Sequence, residues 1–246
     1  MRRTANRPLA ALLSRTRQAL GLLAASCLAV PAGASGLAAA RPGEEQVPAT
    51  ASAQTRQVVE WIMASRDNHG LPFIVVDKAD ARLVLFDGSG TILAQSPVLL
   101  GLARGDVSPA GIGDRKLSLI KPAERITPAG RFVASAGYNL AGQDILWVDY
   151  GAAISLHRAT DRKPGLTAKS RLDRLATASA SDNRVTHGCI NVAPDFYDRF
   201  IRTTFSRTDG IVYVLPETSS AQAVFQIHPP QGQAAGSAVS GAGTLG

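Results

Sequence analysis

From Phe73 to Gly101 the chain repeats one short unit, an apolar run followed by a turn, as in "FIVVDKADARLVLFDGSGTILAQSPVLLG". Asp, Gly and Ser interrupt the runs at intervals of about eight to ten residues, the spacing of a β-meander. Strands are predicted near 73–77, 82–86 and 91–96. Further on, "RFVASAGY", "DILWVDY", "AAISLHR" and "GIVYVLP" have the same β-branched and aromatic character. Helical spacing is confined to three stretches. "TRQVVEWIMASRDN" sets Val58, Val59, Ile62 and Met63 on one face, "AKSRLDRLATAS" is helical in composition, and "PDFYDRFIRTTF" opens with Pro194 and Asp195 as a helix start does. The chain is therefore expected to be mostly β, with two or three short helices. Leu102 to Gly130 is too rich in Gly and Pro for a regular element, and a loop of that length in a compact domain is usually functional or disordered.

The formal charge of +7 invites a nucleic-acid or membrane-surface reading, so the location of the charge matters. Arg2, Arg3, Arg7, Arg15 and Arg17 all precede the first acidic residue, Glu44. Without residues 1–40, 21 of the 26 basic residues remain against 19 acidic ones. The basic start, the apolar "ALGLLAASCLAV" and the small residues of "PAGASGLAAA" have the layout of a secretory signal peptide, so export to the periplasm is expected. A membrane is a partner only if this segment stays uncleaved as an anchor. With no heptad, P-loop, G-x-G-x-x-G or internal repeat, neither a nucleotide nor a nucleic acid is expected as a partner, and no cofactor is expected. The expected organisation is a signal peptide over 1–40, a linker and short helix over 41–71, one domain over 72–217 and a disordered Gly/Ala/Ser-rich tail over 218–246.

If Cys27 leaves with the signal, Cys189 in "DNRVTHGCINV" is the sole cysteine of an exported protein. An unpaired thiol in an oxidising compartment needs a reason, although a small buried hydrophobe is the plain one. Cysteine attacks as thiolate, and an unperturbed thiol of pKa about 8.5 is only slightly ionised near neutrality. His187, two residues before it, and His157, at the end of a predicted strand, are both candidate bases, and the residues alone leave that choice open. The helix opening at Pro194 would add its N-terminal amides to the stabilisation of a thiolate. Gly188 gives an exposed nucleophile a tight turn, and the Gly188 and Cys189 amides are candidates to hold a developing oxyanion.

At this point the segments resemble a known family. "THGCINV" is similar to the Ser/Thr-x-Gly-Cys-apolar-Arg/Asn segment of the L,D-transpeptidase catalytic domain (YkuD-type). "FIVVDKADARLVLF" looks like the opening hairpin of that domain, "ITPAGRF" like its Thr-Pro segment, and "AISLHR" like the strand that ends in its catalytic histidine. The ordered set spans about residues 73–216. The resemblance implies an L,D-transpeptidase-like β-sandwich or barrel in which cysteine attacks peptidoglycan stem peptides, releases D-Ala and passes the acyl group to an amine of a neighbouring stem. It further implies Cys189 as nucleophile, His157 as proton acceptor and donor, and Thr186, His187 and Gly188 as the site loop.

The chain also departs from the family pattern. Arg158 rather than Gly follows the histidine, and His157 and Cys189 lie 32 residues apart where the family has fewer than about twenty, so an insertion, "TDRKPGLTAKSRLDRLA", is expected to border the site. Asn191 stands where Arg is commoner, which makes Asn191, Arg158, Arg184 and Lys163 candidates for substrate contact. The alternatives are a carboxypeptidase or amidase that gives the acyl group to water, a non-catalytic wall-binding module, and a zinc site from His157, His187 and Cys189. The zinc site is disfavoured by the spacing of its ligands, and no metal is expected.

Overall fold

A computed structural model describes residues 47–48, 50–161 and 169–227. The expected signal peptide, Lys163 and the end of the expected tail lie outside the described residues.

The meander forms where its turns place it: β1 (Phe73–Asp77), β2 (Arg82–Phe86) and β3 (Ile92–Pro97) pair antiparallel. β4 (Leu100–Gly101) is a two-residue strand at the entry to the long loop, which itself holds only three 3-10 turns. β5 (Gly130–Tyr138), β6 (Asp144–Asp149) and β7 (Ile154–Arg158) make a second antiparallel meander. After α2 (Arg171–Leu175) come β8 (Arg184–Thr186) and β9 (Ile190–Val192), two short strands that the Gly-centred turn around Cys189 hid from the sequence reading. α3 (Pro194–Phe196), a π turn over Tyr197–Ile201 and α4 (Arg202–Phe205) run on without a break into one helix, and β10 (Gly210–Val214) follows.

The main sheet has the order β3-β2-β1-β10-β5-β6-β7-β9. Its ends approach each other: Leu99, just past β3, exchanges backbone hydrogen bonds of 2.8 and 2.9 Å with Asn191 in β9. The sheet is thus nearly closed around a core, and the molecule is mostly β, as expected.

β1, β2 and β10 carry nearly continuous apolar runs because both of their faces are covered. Ile74, Val76, Leu83, Leu85, Val212 and Val214 point into the enclosed core with Leu146, Leu156, Tyr197 and Phe205. Phe73, Val75, Val84, Phe86, Ile211 and Tyr213 point outward and are covered by α1 (Ala53–Ser65) and α5 (Ala221–Phe225). Ser52 caps α1, and its buried Val58, Val59 and Ile62 contribute about 1.5–3 kcal/mol each by leaving water.

Two differences from the expected organisation follow from that second layer. α1 packs on the sheet as part of the domain, and α5, with Ala221 and Phe225 buried, extends the packed unit into the stretch expected to be a disordered tail. The physical reason is that an open outer face of β1, β2 and β10 would expose Phe73, Phe86 and Tyr213, which are now fully covered. "AKSRLDRLATAS" yields only the five residues of α2. Among the described residues no helix is long and apolar enough to cross a membrane.

Candidate active site

The site is built by one strand pairing. β7 and β9 run parallel in a register that sets Leu156 against Ile190, His157 against Asn191 and Arg158 against Val192. Side chains alternate between the faces of a strand, so Leu156 and Ile190 enter the core while His157 and Asn191 share the opposite face. Two residues back on each strand, that same face carries Ser155 and Cys189, with Ser155 Oγ 3.7 Å from Cys189 Sγ. A 32-residue separation in sequence thereby becomes adjacency.

The turn before Cys189 is fixed from several sides. Gly188 has φ 130°, and a Cβ there would lie 2.7 Å from both the Ile126 carbonyl oxygen and Ile154 Cδ1, so only glycine fits. The Thr186 hydroxyl donates to the Cys189 carbonyl (2.7 Å) and accepts from the Gly188 N–H (3.1 Å). Thr127, from the "ITPAGRF" segment, donates its hydroxyl proton to the Gly188 carbonyl (2.8 Å) and accepts from the Gly101 N–H (2.9 Å). The thiol is therefore held by both the long loop and β4.

Cys189 is half-buried, and its Sγ lies 3.7 Å from the Ala153 carbonyl. Burial pushes the thiol pKa up. Hydrogen bonding and charge attraction from His157, with hydrogen bonds at Ser155, outweigh that penalty and hold it below the ordinary thiol range. His187 lines the same groove, and His157 is the imidazole whose hydrogen bonding and charge lower the thiol pKa. His157 Nδ1 lies 2.9 Å from the Arg158 carbonyl oxygen. A carbonyl only accepts, so Nδ1 carries a proton and Nε2 is the nitrogen left to exchange one with the thiol.

Two details differ from expectation. The Gly188 N–H is taken by Thr186, so of the two amides expected at an oxyanion site only that of Cys189 enters none of the described hydrogen bonds. Strand β9 separates Cys189 from the helix that starts at Pro194, so the thiol sits at a strand entrance rather than on a helix N-terminus.

The groove around the thiol has a volume of about 530 Å³. His157, His187, Thr186 and Asn191 line it beside Cys189, together with Leu117 and Ser118 of the long loop, Asn139 and Gln143 of the β5–β6 turn, and Thr160. Among the described residues its cations are Arg125 and Arg171, and no carboxylate lines it. Neither arginine was singled out in the sequence; Arg125 stands two residues before Thr127, and Arg171 lies within the insertion. Ser155, two residues before His157 on a predicted strand, falls on the same face by the alternation of strand side chains.

The arginines that were candidates go elsewhere. Arg158, next to His157, points to the opposite face, where it pairs with Asp144 (2.9 Å) and Asp198 and lies 4.2 Å over the Tyr197 ring. Arg184 pairs with Glu217 (2.5 Å) and donates to the Lys78 carbonyl (2.8 Å). Neither reaches the groove lining, whereas Asn191 does. Among the described residues no three His, Cys, Asp or Glu side chains are placed to hold a metal ion.

No protein-family model matches the chain, and no curated protein matches it. Solved structures do. The Mycobacterium tuberculosis L,D-transpeptidase 1 aligns at 16% identity and TM-score 0.32, over 58% of this chain and 60% of that one. The helical cell shape determining protein Pgp2 from Campylobacter jejuni aligns at 16% identity and TM-score 0.39, over 61% of this chain and 49% of that one. The catalytic domain of the Enterococcus faecium L,D-transpeptidase aligns at 17% identity and TM-score 0.32, over 58% of this chain and 96% of that one. The chain spans less than two thirds of the length of the first two. L,D-transpeptidase catalytic domains are thus among the structures this chain is similar to, at an overlap too low to carry an argument about the site, which stands on its own geometry.

Proposed function

We propose that this protein is an exported, periplasmic peptidoglycan L,D-transpeptidase that crosslinks stem peptides through an acyl-enzyme on Cys189. The observation that carries the proposal is the β7–β9 register, which sets a thiol of lowered pKa beside an imidazole anchored through Nδ1, in a groove whose charged side chains among the described residues are arginines.

In the first step His157 accepts the thiol proton and the sulfur adds to the carbonyl carbon of the donor peptide. The C–S bond forms, the carbonyl oxygen takes up negative charge near the Cys189 amide, and the C–N bond then breaks as His157 returns the proton to the departing D-Ala amine. In the second step an amine of another stem attacks the thioester, His157 takes its proton, and the thiol is restored. Arg125 and Arg171 complement the carboxylates of a stem peptide. Arg125 bonds the Ile120 carbonyl (3.2 Å) and enters no ion pair among the described residues, so its charge faces the groove without a compensating acid.

The test is product mapping on purified peptidoglycan fragments with the wild-type protein and Cys189→Ser. Crosslinked dimers made by the wild type and absent with Cys189→Ser are the expected result. Shortened monomers alone would make the protein a hydrolase, and an unchanged fragment pattern would leave a wall-binding module.

A further inference from the structure

We infer that Arg171 is a positioning residue for His157, acting through the Asn191 amide, so that the segment separating His157 from Cys189 supplies part of the catalytic geometry. The inference rests on the role of His157 proposed above.

An asparagine amide has one end that accepts and one that donates, and its neighbours decide which end points where. The Arg171 guanidinium can only donate, and its Nη1 lies 3.3 Å from Asn191 Oδ1. That contact turns the Asn191 Nδ2 donor toward His157, where it lies 2.9 Å from Nε2 and 3.4 Å from Nδ1. A donor 2.9 Å from one ring nitrogen and 3.4 Å from the other lies over the face of the imidazole, so the Asn191 amide rests on the ring and leaves the in-plane lone pair of Nε2 open to a proton. The ring is thus held at its edge by the Arg158 carbonyl through Nδ1 and on its face by an amide whose orientation Arg171 sets. Without Arg171 the amide is free to turn its oxygen toward the ring, and the N–H contact that steadies the imidazole is lost.

Both partners are anchored. The Asn191 backbone is fixed by its pairing with His157 and by the two bonds to Leu99. Arg171 opens α2, which is capped by Ser170, and its N–H donates to the Asp161 carboxylate (2.7 Å). Leu175 at the end of that helix packs with Leu99 and Ala159 in a small cluster of its own beneath the site. Other charged or titratable side chains lining the groove are Arg125 from the long loop and His187 and Cys189 from the β8–β9 turn, while Arg158 touches His157 through its backbone and sends its side chain to the far face.

The experiment measures alkylation of Cys189 by iodoacetamide, a small neutral probe, from pH 5 to 9, in the full-length protein and in Arg171→Ala, Arg171→Gln, Asn191→Ala and the double variant Arg171→Ala/Asn191→Ala. Two residues of one hydrogen-bond network couple, so Arg171→Ala is expected to slow alkylation at neutral pH by about threefold or more. Arg171→Gln, which keeps a donor without the charge, should recover most of the rate, and the double variant should be no slower than Asn191→Ala. A profile for Arg171→Ala that superimposes on the wild type overturns the inference. So do equal losses in Arg171→Ala and Arg171→Gln, which would make the effect one of charge alone, and strictly additive losses in the double variant. Thiol alkylation does not depend on any peptidoglycan product, so these outcomes are separate from the test of crosslinking.

Discussion

The domain holds two polar clusters that meet at one residue, and they are built on opposite principles. At the base of the long loop, Lys78 is fully buried and donates to the Gly105 carbonyl (2.5 Å), the Thr127 carbonyl (3.0 Å) and Asp106 (2.8 Å). Asp106 in turn accepts from the backbone amides of Glu217, Thr218 and Ser219 and from two hydroxyls, while Glu217 pairs with Arg184. Each of these charges has a partner of opposite charge, and the cluster ties the loop to the chain that follows β10. On the other side of Thr127 the groove has half-satisfied groups: a thiol with weak neighbours at 3.7 Å, an imidazole lone pair and an arginine on a carbonyl. Thr127 joins the two, its carbonyl held by Lys78 and its hydroxyl holding the Gly188 carbonyl. A fully paired cluster gives rigidity and an incompletely paired one gives reactivity, and here the first fixes the loop that steadies the second.

Perturbing the groove should remove chemistry and spare the fold, whereas perturbing the Lys78 cluster should do the reverse. The largest effect is expected from Cys189→Ala, which should abolish turnover on peptidoglycan fragments and leave the thermal melt near that of the wild type; an unfolded variant would show the thiol to be a packing residue instead. Lys78→Ala leaves Asp106 with no lysine and should cost about 3–5 kcal/mol in denaturant unfolding, since removing one partner of a buried pair strands the other. His157→Ala should slow turnover by at least about a hundredfold, and His187→Ala by less; the reverse order would transfer the base to His187.

Thr127→Val sharpens the comparison because it cuts the link between the clusters. It removes the bonds to Gly188 and Gly101 and should cost about 1–3 kcal/mol, with slower alkylation of Cys189; a loss of stability at unchanged thiol reactivity would show that the two clusters are independent. The smallest effect is one of pH. Burial pushes the Asp106 carboxyl up, but the bonds from Lys78, Thr218 and the amides hold it well below the usual carboxylate range. A carboxylate lowered on folding stabilises the fold above its unfolded pKa of about 4, and that contribution is lost as the pH falls further. Melting temperatures should accordingly drop below about pH 4 in the wild type and drop less steeply in Asp106→Asn.

The sequence by itself determined the longer strands. The spacing of apolar runs and turns placed β1, β2 and β3 almost to the residue and marked β5, β6, β7 and β10, because alternation and turn chemistry are local properties of the chain. It also singled out Cys189 and His157 and the glycine between His187 and the thiol. What it did not reveal was everything that depends on pairing at a distance. β8 and β9 are three residues each, too short for a periodic signal, and they exist because β7 and β4 pair with them. The side on which each arginine lies was equally hidden: Arg158 and His157 are neighbours in sequence, and strand alternation sends one to the ion pairs with Asp144 and Asp198 and the other to the thiol. Arg171 and Arg125 look like ordinary surface residues in the sequence, yet both line the groove. A side chain's type is written in the chain, but its partner is fixed only when register and sheet closure bring distant segments together, and only the tertiary structure decides that.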